Sequence, residues 1–327
     1  MNSEGDINRK YGQENAVWTE SIYLRGYKPS TGEKLTPDHI RKYAKTLKKC
    51  HFKYAYLFAG PYQADGHLPA YSFSDTAVNT VKRLKKLYPE IIILPWVGGI
   101  QNKTVYLDDS AWVRNALFDT RKLIETLHVP GVHVDLEYIL PGEPVLDHDQ
   151  VREEKPGDRE NYANNVNNFH KKLRDLLPEA FISSVVVATS PDTKPWKRKT
   201  TVEELKVLIQ YIDQLSFLYY DTYIRSQDVF DKNCKYLIED IIALKKTPAP
   251  KPVQYLIAIG TFINGPALQK YRDMDIENIP NSILTIQKSV EEYNSPEQIV
   301  DGLAVFCDWH TNEKEWELIR KYWVEDK

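Results

Sequence analysis

Three ionisable residues, His133, Asp135 and Glu137, alternate with Val132, Val134 and Leu136 in the stretch PGVHVDLEYI at 130–139. Successive side chains of a strand point to opposite faces, so the pattern predicts an apolar face and a face carrying an imidazole and two carboxyls. Buried carboxyls are costly unless they are paired, hydrogen-bonded or held neutral, and such groups cluster at functional sites. One reading is a satisfied polar network, with His133 bonded to Asp135 and Glu137 reaching solvent at the strand end. A second is a metal site, because His, Asp and Glu are all ligands. Groups spaced along one extended strand converge poorly on one ion, however, and no His-x-His or Cys cluster supplies further ligands.

The elements that must position these residues recur along the chain. Apolar, β-branched or aromatic runs read SIYLRGY (21–27), FKYAYLFAG (52–60), IIILPWVGG (91–99), GVHVDLEYI (131–139), FISSVVVA (181–188), QLSFLYYD (214–221), VQYLIAIGTF (253–262) and GLAVFCDW (302–309). Amphipathic stretches with helical spacing separate them, among them TPDHIRKYAKTLKKC, SDTAVNTVKRLKKLYP and SAWVRNALFDTRKLIETLH. Strands alternating with helices imply a parallel sheet. A count of eight favours a closed (β/α)8 barrel over a doubly wound open sheet. Such a barrel would take the whole chain, 1–327, as one domain, with 1–17 as an N-terminal extension. Its functional face is built by the loops after the strands, so the long polar segment LPGEPVLDHDQVREEKPGDRE after the fourth run reads either as a substrate wall or as a solvated insertion.

The 327 residues are 42% hydrophobic and 27% charged, which suits a folded protein with a substantial core. The formal net charge of -3 offers no basic excess for phosphates, so nucleic acid is not an expected partner. Cys50, Cys234 and Cys307 are too few and too widely spaced for a disulfide framework or a Cys-x-x-Cys site. No run approaches the length of a membrane span, and the start MNSEGDINRKYG has no apolar signal core. The expectation is therefore a monomer that is cytoplasmic if Met1 is native, and secreted or cell-surface if a signal segment was removed.

A third reading of the fourth run comes from a resemblance. PGVHVDLEY resembles the fourth-strand signature Asp-Gly-x-Asp-x-Asp-x-Glu of glycoside hydrolase family 18, the chitinases and endo-β-N-acetylglucosaminidases. Gly131, Asp135 and Glu137 match it, while Pro130 and His133 replace the first two aspartates. LYYD (218–221) is similar to the sixth-strand Met-x-Tyr-Asp, and WVGG (96–99) to the third-strand Ser-x-Gly-Gly. IAIGTF (257–262) stands where Gly-Ile-Pro-x-Tyr would fall, and GLAVF (302–306) resembles the eighth-strand run, with Phe306 at the tryptophan position and Trp309 just beyond.

The resemblance implies a retaining, substrate-assisted glycosidase without metal or cofactor, acting on an oligosaccharide or polysaccharide that contains β-linked N-acetylglucosamine. Glu137 would be the general acid and later the base, Asp135 would orient the 2-acetamido group, and Tyr220 would hydrogen-bond its carbonyl. Asp221, His133, Trp309, Phe306, Trp96, Tyr138 and Tyr219 are the implied substrate contacts, with Tyr23 and Phe58 as further aromatic candidates at strand ends. His133 would lie beneath Asp135 and either donate to it or, if protonated, pair with it. The segment after the seventh run is too short for the small α+β insertion of some chitinases, so an open site is expected. Two other classes compete: a non-catalytic lectin-like or inhibitor barrel, which retention of Glu137 disfavours, and a metal-dependent sugar hydrolase or deacetylase using His133 and Asp135.

Overall fold

In a computed structural model the chain is described at residues 12–138, 158–187, 200–261, 272–293 and 299–325. Eight parallel strands close into a barrel in sequence order: β1 (Ala16–Thr19), β2 (Tyr54–Pro61), β3 (Ile92–Ile100), β4 (Gly131–Glu137), β5 (Phe181–Val187), β6 (Gln214–Leu218), β7 (Gln254–Gly260) and β8 (Gly302–Phe306). Helices follow the strands: α1 (Ile22–Arg25), α2 (Pro37–Lys49), α3 (Asp75–Leu87), α4 (Ser110–Leu127), α5 (Asp158–Leu176), α6 (Val202–Leu208), α7 (Gln227–Lys245), α8 (Ile279–Glu291) and α9 (Glu313–Ile319). Their starts carry the expected chemistry. Thr36, Ser74, Asp109, Thr201 and Asn312 each accept a backbone N–H of the first turn. No helix among the described residues is long and apolar enough to cross a membrane.

The first strand departs from expectation. SIYLRGY does not extend; Ile22–Arg25 forms a single helical turn closed by Gly26 in the left-handed conformation. The strand is AVWT just before it, buried at every position, with Val17 against the helices and Trp18 inside the barrel. Four residues are too few to show a period, whereas Ile22, Tyr23 and Leu24 owe their apolar character to burial on a helix. Ala16 and Val17, placed in the expected N-terminal extension, are therefore barrel residues. Tyr23 accordingly lies on α1 and not at a strand end.

Two apolar layers result. Val132, Val134 and Leu136 join the layer between barrel and helices. Trp18, Tyr54, Tyr56, Leu94, Val185 and Leu256 fill the interior. The register sets Trp96 beside His133, Gly98 beside Asp135 and Ile100 beside Glu137, with Ser183 on the other flank of His133. Gly98 is required by close approach: a methyl group there would stand 1.7 Å from the Asp135 carbonyl oxygen.

Candidate active site

The alternation on β4 sorts its side chains as the sequence implied, and depth in the barrel then differentiates them. His133 is wholly buried, Asp135 is 7% exposed, and Glu137 is exposed at the C-terminal end of the strand. Glu137 therefore stands where the barrel opens, with Asp135 one layer below on the same face.

Asp135 accepts a hydrogen bond at Oδ2 from Trp96 Nε1 at 3.0 Å, while its Oδ1 is buried without a partner. Burial, and then the negative charge of Glu137, hold its carboxyl well above the ordinary range; the Trp96 bond pulls the other way. Tyr220 follows β6, and its phenol is raised by burial and then by Asp135, Glu137 and Asp221, so the hydroxyl shares their neighbourhood. Its ring is parallel to Phe306 at 5.1 Å between centroids. Phe306 meets Trp309 edge-on at 5.4 Å, and Trp309 stacks on Trp96 at 6.5 Å, with Phe58 edge-on to Trp96 at 4.6 Å. These half-buried rings form an aromatic wall beside the two carboxyls.

Asp221 is pinned from behind. Arg272, its side chain fully buried, donates to Asp221 Oδ1 from Nη2 at 2.8 Å and from Nε at 3.1 Å. Buried Glu277 accepts the Asp221 N–H and both the N–H and hydroxyl of Thr222, at 3.1 Å and 2.7 Å for the latter two. This clamp holds Asp221 at a φ of 51° and sets the turn that follows Tyr220.

Three of the expected contacts fall elsewhere. Tyr219 has the opposite parity from Tyr220: it faces α7, stacks on Phe230 at 4.6 Å and donates to the Phe230 carbonyl at 2.6 Å. The two tyrosines just past the end of β6 thus point to opposite sides, as successive residues of extended chain do. Tyr138 rests against Tyr162 of α5, 5.0 Å between ring centroids. His133, at 0% exposure, lies too deep to touch a ligand. Nor does it bond Asp135 or carry a charge beside it. Its Nδ1 bonds Ser183 Oγ at 2.8 Å, its ring stacks on Tyr56 at 3.7 Å, and burial lowers its pKa well below the usual value.

Ser183, Gln214 and Tyr56, which line the interior around His133, were legible in principle. They are polar residues at inward parity in FISSVVVA, QLSFLYYD and FKYAYLFAG. Arg272 carries no such signal, because it reaches Asp221 from outside the strand pattern. Among the described residues no group of three or more His, Cys, Asp or Glu side chains is placed to hold a metal ion. Of the segment 140–160 considered as a substrate wall, residues 140–157 lie outside the described residues and the last three open α5; Phe262 of IAIGTF also lies outside them.

No family model and no curated protein sequence matches the chain. Solved structures do. The chain is similar to a family 18 chitinase from Cycas revoluta in complex with allosamidin, with a TM-score of 0.60 at 13% identity over 94% of this chain and 99% of that one. It is also similar to the spore cortex-lytic enzyme SleL of Bacillus megaterium, with a TM-score of 0.59 at 14% identity over 97% of this chain and 75% of that one. A family 18 N-acetylglucosaminidase from Paenibacillus barengoltzii gives a TM-score of 0.58 at 12% identity, covering 96% and 99%. At these identities the likeness establishes the fold: the chain is a closed (β/α)8 barrel of the form seen in those structures.

Proposed function

We propose that the protein hydrolyses glycans containing β-linked N-acetylglucosamine by a retaining mechanism in which the substrate's acetamido group is the nucleophile. The observation that carries this is the stacking of two carboxyls by depth on one strand, Glu137 exposed at the barrel mouth and Asp135 buried below it, with Tyr220 alongside. The names of the similar structures, chitinases and an N-acetylglucosaminidase, point to the same substrate class.

In this reading Glu137 gives its proton to the glycosidic oxygen as the bond to the leaving sugar breaks. The acetamido carbonyl oxygen attacks the anomeric carbon and closes an oxazolinium ring. Asp135, buried and fixed by Trp96, accepts the acetamido N–H and offsets the positive charge as it grows, where low dielectric makes that interaction strong. Tyr220 donates to the acetamido carbonyl. Glu137, now a carboxylate, takes a proton from the water that opens the ring. Trp96, Phe306 and Trp309 offer apolar faces to the sugar.

Hydrolysis of a fluorogenic chitobioside tests the proposal. Glu137→Gln should lose at least about a hundredfold in kcat while chitooligosaccharide binding persists. Turnover by the variant at the parent rate sinks the assignment. Binding by the parent protein without any turnover would place it with sugar-binding barrels.

A further inference from the structure

A second cleft, of about 450 Å³, opens where the chain leaves β1 and β8, bounded by α1, α2 and the start of α9. Four carboxyls line it, those of Glu20, Glu33, Asp308 and Glu313, against one lysine, Lys42, and one imidazole, His39. Three of the acids are matched. Glu20 pairs with Lys28 at 3.0 Å, Glu33 meets His39 Nε2 at 3.3 Å and Glu313 meets Lys42 at 3.8 Å. Asp308 forms no ion pair among the described residues; its Oδ1 accepts the Glu20 N–H at 2.9 Å. Burial and then the charge of Glu20 raise its carboxyl to about 8, the behaviour of an acid that lacks a counter-ion.

A neighbouring polar group is unpaired as well. Tyr23 on α1 is nine-tenths buried, lines the same cleft and makes no hydrogen bond through its hydroxyl among the described residues. Burial, then the charges of Asp308 and Glu20, raise its phenol, so the hydroxyl lies near both carboxyls. Tyr43 on α2 differs: its hydroxyl shares a hydrogen bond with Thr19, and its ring lies 4.5 Å from that of Tyr23, tilted by 33°. The cleft therefore offers a carboxyl, a hydroxyl oxygen and two phenol rings, and lacks a cation to match Asp308. Among the described residues no group of three or more His, Cys, Asp or Glu side chains is placed to hold a metal ion, which leaves an organic cation.

We propose that this cleft binds a primary ammonium group, with the Asp308 carboxylate as its counter-ion, the Tyr23 hydroxyl oxygen as a second acceptor and the Tyr23 and Tyr43 rings as its flank. An ammonium carries three N–H donors on a compact charge, and phenol rings attract such a cation. An anion would meet four carboxyls, and an uncharged alcohol would leave Asp308 without its counter-ion. Two sources share this chemistry: a glucosamine residue of a glycan that has lost its acetyl group, and a free alkylamine. Asp308 directly precedes Trp309 of the aromatic wall, which brings the cleft within reach of a glycan bound there. Binding of the ammonium itself does not depend on the glycosidase reading.

Isothermal calorimetry on the full chain at neutral pH tests this with ethanolamine, a cation, against ethylene glycol, its uncharged counterpart. Ethanolamine is expected to bind with a Kd of about 1 mM or tighter, and ethylene glycol at least about tenfold more weakly. Asp308→Asn should weaken ethanolamine binding about tenfold or more, and Tyr23→Phe, which keeps the ring, about threefold. Glu137→Gln should leave the affinity within about twofold, so failure of the glycosidase reading is read separately from failure at this cleft. A glucosamine disaccharide that binds at least about tenfold tighter than ethanolamine, with the same loss in Asp308→Asn, assigns the amine to a glycan. An affinity equal to that of ethanolamine assigns it to a small alkylamine. Equal binding of ethanolamine and ethylene glycol overturns the proposal. So does an unchanged ethanolamine affinity in Asp308→Asn.

Discussion

The indole of Trp96 on β3 donates from Nε1 to Asp135 Oδ2 on β4 at 3.0 Å, two residues along β4 from its register partner His133. This bond favours the ionised form of a carboxyl whose burial and proximity to Glu137 favour the neutral one. Trp96→Phe keeps an aromatic ring against Trp309 and removes the donor. Ionisation of Asp135 becomes harder, so its limb of the kcat/KM profile should move up by about one pH unit and kcat should fall about tenfold. Overlapping profiles for parent and variant would show that the indole N–H does not tune Asp135.

Gly98 tests how closely β3 must approach the same residue. A methyl group at this position would collide with the Asp135 carbonyl oxygen. Gly98→Ala should cost about 3 kcal/mol by urea denaturation and abolish measurable hydrolysis even at temperatures where the variant is folded. A fully active variant would mean that β4 can shift without consequence for the site.

Arg272 and Glu277 hold the turn after Tyr220. Arg272→Met leaves Glu277 buried without its cation, and loss of one member of such a pair costs about 3 to 5 kcal/mol. Adding Glu277→Gln should recover part of that stability in a double-mutant cycle. Additive losses would show that the two residues are not coupled.

Asp308 makes the pH dependence of stability specific. Its Oδ1 accepts the Glu20 N–H at 2.9 Å, and burial, with a smaller contribution from Glu20, pushes its carboxyl up to about 8. A carboxyl raised in the fold binds its proton more tightly there than in the unfolded chain. The fold therefore loses stability as pH rises from about 4, the unfolded value, through about 8. Asp308→Asn keeps an acceptor and removes the ionisation. Its melting temperature should match the parent near pH 4 and exceed it by several degrees near pH 8. Parallel curves across that range would assign the pH dependence to other groups.

Parity along a strand is a local property, so PGVHVDLEYI by itself determined that Val132, Val134 and Leu136 pack outward while His133, Asp135 and Glu137 share the inner face. The same reasoning, applied to LYYD, separates Tyr220 from Tyr219, which the resemblance alone had grouped together. Composition was a weaker guide where an element was short: AVWT carried too few residues to reveal itself, and SIYLRGY looked like a strand because burial on α1 demands the same residue types. Partners across the barrel were decided only by tertiary structure. The register of β3 against β4 brings Trp96 to Asp135, that of β4 against β5 brings Ser183 to His133, and chain closure carries Arg272 to Asp221. A sequence orders residues along one strand. The series of hydrogen bonds that joins Glu14 to His133 passes through Gln254 on β7, Gln214 on β6 and Ser183 on β5, and only closure of the barrel brings those three strands and the segment before β1 together.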